Sequence, residues 1–298
     1  MTAEVDRKPN LARRLFDRLE PVHAVTYFAP EARAALDGLG YQGLWMGYFA
    51  ARSAPFGVVP AQVVTAAFYN FAPERVAKAL PAAWGIASPV HALHARESSA
   101  VAALRRYGVT DQDADTAAEL AAKAARSAEI GGRALFAANR AHDWPQQPLA
   151  RLWHAATLLR EHRGDGHVAV LTTEDVSGRE CNVLHAAAGR VPEAMIKRGR
   201  DYDDAQWEHH RATLQRRGLL DAAGGLTELG DELKQHIEDA TDALALRAFD
   251  VLDDSELEKL FEALTPITRK VVAGGDVPGA TPMGLSRDNL DDDSAHLG

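Results

Sequence analysis

Prolines stand at the head of one apolar segment after another. Pro30, Pro60, Pro73, Pro89 and Pro148 each open a stretch whose apolar residues recur at helical spacing. Proline suits a first helical turn, because the N–H it lacks would have no intrahelical partner there. The spacing predicts helices over 11–28, 32–39, 44–54, 61–69, 74–84, 89 to about 107, 111–138 and 148–162. Pro21 must begin, kink or break the first of these. Ser88 is a good cap for the helix that follows it, and Gly131-Gly132 marks a break in the long segment. Alanine is frequent while Val, Ile and Thr are sparse, which also favours helix over sheet.

The 298 residues allow one large domain or two ordinary ones, and 46% hydrophobic residues is normal for a globular chain. A formal charge of -9 argues against a general nucleic-acid coat, though a small basic face stays open. Cys181 is the single cysteine, so neither an intramolecular disulfide nor a cysteine-based zinc cluster is expected. It falls in an apolar helical pattern and reads as a packing residue. The start of the chain has no apolar signal core, and no stretch reaches the roughly 18 apolar residues of a membrane span. A cytoplasmic protein without membrane contact is expected. Glycine, proline and acids dominate 273–298, which reads as a disordered acidic tail.

The densest chemistry lies mid-chain. His154, Arg160, Glu161, His162, Arg163, Asp165 and His167 rise out of an apolar helix, beside Gly164-Asp165-Gly166, which reads as a tight turn. Burying such groups is costly unless each finds a partner. His154 and Glu161 share a helix face, and the turn would bring His167 back toward the helix end. Arg160 and Arg163 could hold a carboxylate, sulfate or phosphate, while His154 or His167 could move a proton near neutral pH. The plainer reading is a helix C-terminus steadied by Arg and His against its dipole.

In the first third, His23, Tyr27, Tyr48, Arg52, Tyr69 and Asn70 are polar intrusions into apolar helices. Singly they read as satisfied core groups; as a set they suit a pocket between helices. His91 and His94 read as exposed. No metal-ligand spacing is convincing, and neither a Gly-x-Gly-x-x-Gly, a phosphate-loop lysine nor a Gly-x-Ser-x-Gly elbow is present. No cofactor is expected.

From 177 to 270 the pattern resembles the winged-helix domain of MarR-type regulators. The carrying residues are Cys181-Asn182-Val183-Leu184-His185-Ala186, helices near 192–198 and 205–216, and Leu214, Gly218, Leu219 and Leu220 leading to a tip at Ala222-Ala223-Gly224-Gly225. Thr227 then caps a long helix over 231–249. The resemblance implies a β-hairpin wing and a dimer surface on the long helix. A recognition helix should present basic and amide side chains to the groove. Here Asp201, Asp203, Asp204 and Glu208 offset Arg200, Arg211, Arg216 and Arg217.

Over about 11–270 the chain resembles the SalK-like actinobacterial proteins labelled helix-turn-helix. Glu20-Pro21-Val22-His23, Gly47-Tyr48-Phe49-Ala50-Ala51-Arg52-Ser53, Phe68-Tyr69-Asn70-Phe71 and 152–167 carry that likeness. It implies a place in natural-product biosynthesis.

The expectation is a mainly α protein: a helical domain over 1–170, a winged-helix-like domain with a small β-hairpin over 171–272, and the tail. A polar pocket near their junction would bind, and could convert, a small polar or anionic metabolite without a cofactor. His154, Glu161 and His167 are the candidate acid–base groups. His23, Tyr27, Tyr48, Arg52, Asn70, Arg160 and Arg163 are the candidate binding groups. The partners expected are a small-molecule ligand and either a second copy or a biosynthetic partner subunit, with nucleic acid disfavoured. The alternative is a ligand-responsive DNA-binding regulator.

Overall fold

Proline heads and side-chain caps set most of the helix boundaries. The computed structural model describes residues 10–278 and 290–297. The chain runs through α1 (Asn10–Phe28), α2 (Pro30–Gly38), α3 (Gly43–Ser53), α4 (Ala61–Phe68), α5 (Pro73–Ala79), α6 (Pro89–Arg106), α7 (Asp111–Ser127), α8 (Ala134–Arg140) and α9 (Pro148–Thr173). It continues through α10 (Gly178–Ala187), α11 (Glu193–Arg200), α12 (Asp204–Arg216), α13 (Glu228–Leu246) and α14 (Asp254–Ala273). α2, α5, α6 and α9 carry proline in the first turn. α7, α10, α12 and α14 begin with reciprocal caps: Thr110 with Asp113, Ser177 with Glu180, Asp203 with Gln206 and Asp253 with Glu256. Each such cap contributes about 1 kcal/mol by satisfying otherwise orphaned N–H groups.

α9 is the axis. It packs against α1, α6, α7, α8 and α13 and is buried on nearly every side. α1, α7, α9 and α14 share one apolar core, α3–α6 enclose a second rich in aromatics, and α10–α13 a third around Trp207 and Leu214. No helix among the described residues is long and apolar enough to cross a membrane.

Two sequence expectations fail here. The mainly α class holds, but no β-strand forms among the described residues, so the winged-helix half with its hairpin is not what the chain builds. Between α12 and α13 a lone antiparallel bridge joins Leu220 to Leu226. Its loop closes on itself, with Asp221 N donating to Gly225 O at 2.9 Å. The flanking arms are too short for a ladder. Gly230 already lies against the Leu219 carbonyl, where a Cβ would come to 2.1 Å, so α13 starts before a strand can extend.

Gly164-Asp165-Gly166 is no turn either; it stays helical inside α9. Tertiary contact outweighs the cost of two helical glycines. Asp165 Oδ2 accepts from Phe136 N at 2.9 Å at the start of α8. Gly166 admits Arg133, which would sit 2.7 Å from any Cβ there and donates to the His162 carbonyl. Pro21 lies inside α1, which spans Asn10–Phe28 much as the spacing predicts and packs against α9 and α14.

α9 crosses residue 170 without a linker. The expected tail falls partly on 279–289 and 298, outside the described residues. Leu290 and Ala295 are buried, with Ala295 O accepting from Arg14 at 2.9 Å.

Candidate functional site

The corner between α4 and α5 joins the first nine helices to the ones that follow. Tyr69 takes a left-handed φ of 45° at the end of α4. Its hydroxyl donates to Val176 O at 2.8 Å, and Asn182 Nδ2 donates to Asn70 O at 2.9 Å. Gly178 lies so close that a Cβ would meet Tyr69 O at 2.2 Å, which explains the glycine at the head of α10. Arg75 stacks on Trp45 and donates to Asp201 Oδ1 at 2.9 Å.

Beneath this corner is a cavity of about 390 Å³. α1 and α3 supply Tyr27, Phe28, Trp45, Tyr48 and Arg52, and the corner supplies Phe68 to Phe71. α9 supplies Arg160, Glu161 and His167; α10, α11 and α13 close it with Asn182, Arg200 and Glu238 among others. The volume suits a small molecule bounded by aromatic walls with a few placed polar groups.

The polar end is a charge network on α9. Arg52 grips Glu161 with Nε at 3.3 Å and Nη2 at 3.2 Å, and its Nη1 donates to the Tyr48 hydroxyl at 3.2 Å. Arg160 Nη1 reaches the same carboxylate at 2.6 Å, while its Nε lies 3.5 Å from Glu20. Burial pushes the Glu161 carboxyl up, but Arg160 and Arg52 more than offset this and hold it well below the usual carboxylate range. Glu20 is compensated less: its oxygens have no hydrogen-bond partner, and burial, only partly offset by Arg160, raises it to about 7. Arg200 ends α11 with its guanidinium 3.9 Å over the Phe71 ring. Among the described residues no carboxylate lies within ion-pair distance of it, and burial, with Arg52 nearby, lowers its pKa. Arg163 is committed elsewhere, to Asp242 at 2.9 Å and Glu238 at 3.3 Å.

Of the residues singled out from sequence, Tyr27, Tyr48, Arg52, Asn70, Arg160, Glu161, Arg163 and His167 line this cavity. His23 sits one layer behind, its Nε2 3.0 Å from the Tyr27 hydroxyl and its Nδ1 2.9 Å from Thr157 Oγ1. His154 is not brought in; it packs edge-on against Trp144. Burial holds His154 and His167 neutral, each down to about 4, and His167 Nδ1 is bonded to Thr241 Oγ1 at 2.9 Å. With Glu161 locked between two arginines, none of these three is poised to exchange a proton near neutrality.

Sequence reasoning missed Trp45, Phe68 and Phe71 as walls and Arg200 as a cavity residue. The aromatic spacing in α3 was the available signal for the walls. Arg200 had none, because its place over the Phe71 ring depends on packing between segments far apart in the chain. Cys181 lines the cavity with its thiol pushed up to about 11 by burial, as suits a packing residue.

The outer face of α12 is mixed in charge. Lys197 pairs with Asp204 and Arg211 with Glu208, while Arg217 donates to the Asp175 carbonyl at 2.6 Å. Among the described residues no group of three or more His, Cys, Asp or Glu is placed to hold a metal ion.

A model described as Helix-turn-helix family matches residues 12–278, so the chain belongs to that family. No curated protein and no solved structure matches it.

Proposed function

We propose that this member of the helix-turn-helix family binds a small amphipathic anion, an aromatic or apolar body bearing a carboxylate-like head, in the cavity beneath the α4–α5 corner. The observation that carries the reading is Arg200. It adds a guanidinium without a carboxylate partner to a pocket end where Arg52 and Arg160 already outnumber Glu161. An anion seated there gains charge-assisted hydrogen bonds inside a low-dielectric wall, while Trp45, Phe68 and Phe71 take the apolar body. Binding is favoured over conversion because the candidate acid–base groups are held in one protonation state. The SalK-like resemblance would put such a ligand in natural-product biosynthesis.

Titration calorimetry with naphthoate, and with naphthyl methanol as its neutral counterpart, tests this. The acid should bind and the alcohol should bind at least about tenfold more weakly, the difference expected of a charged hydrogen bond. Arg200→Gln should erase that preference. Equal affinity for both compounds in the natural protein would end the proposal.

Family membership favours a second reading, a ligand-responsive regulator that binds DNA. The acids on and before α12, with Lys197 and Arg211 paired and Arg217 bonded to a backbone carbonyl, weigh against it. Fluorescence anisotropy on mixed duplex DNA separates the two. Affinity tighter than about micromolar at physiological salt, falling steeply as salt rises, would favour the regulator.

A further inference from the structure

We propose that Arg96 holds a small anion, of chloride size, in a second, smaller void that Tyr27 and Tyr48 also line. Arg96 lies on α6 and is only 3% exposed. Its Nε and Nη2 are buried without a hydrogen-bond partner. Among the described residues no carboxylate is within ion-pair distance of it, and its guanidinium sits 5.4 Å from the Trp153 ring. A ring face attracts a cation but does not accept its N–H groups as a carboxylate would. An unpaired buried charge of this kind is strongly unfavourable, so something must answer it.

The void beside it has a volume of about 30 Å³ and is lined by Thr26, Tyr27, Arg33, Asp37 and Tyr48 as well as Arg96. Asp37 is the acid among these, and it is already taken by Arg33 Nε at 2.7 Å. The remaining charge of the void is therefore positive. His23 and His154 lie close enough to feel Arg96, but imidazoles add no negative charge. The volume is about that of one water molecule in the liquid. A halide is small enough for such a space. Water could satisfy the N–H groups but not neutralise them. Arg33 and Asp37 are half-exposed and stand where an ion would enter. Tyr27 and Tyr48 line both spaces. The ion site does not depend on the ligand reading.

The test is thermal melting of the full chain at constant ionic strength, replacing gluconate by chloride or bromide. Constant ionic strength removes general screening from the comparison. Chloride and bromide should each raise Tm saturably, whereas gluconate should not. Arg96→Met should weaken the halide response at least about tenfold, as loss of a charged hydrogen bond does, and should melt no lower than the natural protein in gluconate. Should the variant fail to fold, bromide diffused into crystals of the natural protein decides the matter, through an anomalous peak beside the Arg96 guanidinium. A natural protein indifferent to the anion, a halide response that survives Arg96→Met, or crystals with no bromide at Arg96 would each overturn the proposal.

Discussion

Toward α7, helix α9 meets a seam of alanines; toward α3, α10 and α11 it meets arginines and aromatic rings. On the first side Ala114, Ala117, Ala118, Ala121, Ala122, Ala124 and Ala125 of α7 are all fully buried, in one core with Leu149, Leu152, Ala155 and Leu158 of α9. Small side chains let two backbones approach closely and leave no room between them. On the second side Arg52, Arg160, Arg200, Trp45 and Phe68 stand the helices apart, and the space between them is the cavity. The same helix thus supports a closed contact and a hollow one, and the neighbour's side-chain volume decides which. The hollow side must also pair its charges, and so its stability rests on a few groups rather than on many small contacts.

The largest expected effect follows from that dependence. Glu161→Ala leaves Arg52 and Arg160 buried around an empty carboxylate position, and should lower unfolding stability by about 3–5 kcal/mol. Denaturant titration measures it; a loss below about 1 kcal/mol would mean that the hollow side does not depend on this network.

Glu20 gives a smaller, pH-dependent contrast. Burial raises its pKa from 4.5 to about 7, so the fold favours the protonated carboxyl. That contribution is complete below the unfolded pKa of 4.5 and is lost as pH rises through about 7. Glu20→Gln should therefore match the natural protein in acid and exceed it above neutrality, by about 3 kcal/mol at most. Melting curves across that window should diverge as pH rises; parallel curves would show that Glu20 ionises freely in the fold.

The closed side is broken by volume instead of charge. Ala121→Leu should cost about 1–3 kcal/mol through overpacking. Naphthoate affinity should be unchanged, because the altered contact lies across α9 from the cavity. A parallel loss of affinity in calorimetry would show that the two sides of α9 are coupled.

Much of the fold was legible from local chemistry. Prolines at 30, 73, 89 and 148 mark true helix starts, and Ser88 and Thr227 cap as expected. The reading failed where long-range contact overrode a local rule. Gly164 and Gly166 disfavour helix by propensity, yet Arg133 and the start of α8 pack against this stretch and keep α9 continuous. The wing failed for a related reason: a glycine-rich tip signals a turn but not arms long enough to pair. The candidate site divided in the same way. Glu161, Arg160 and Arg52 stood out because ionisable groups in apolar helices need partners. His154 stood out as strongly, but the side of α9 it occupies meets Trp144 and not the cavity.

The order of helices, their caps and the presence of charges that must be satisfied inside were written in the sequence, because each depends on residues within a turn or two of one another. Which charges meet, where Arg200 ends up, and that a hollow remains between α3, α9 and α11 were decided only by tertiary packing. Those outcomes depend on the volumes and orientations of side chains far apart along the chain, which no local pattern encodes.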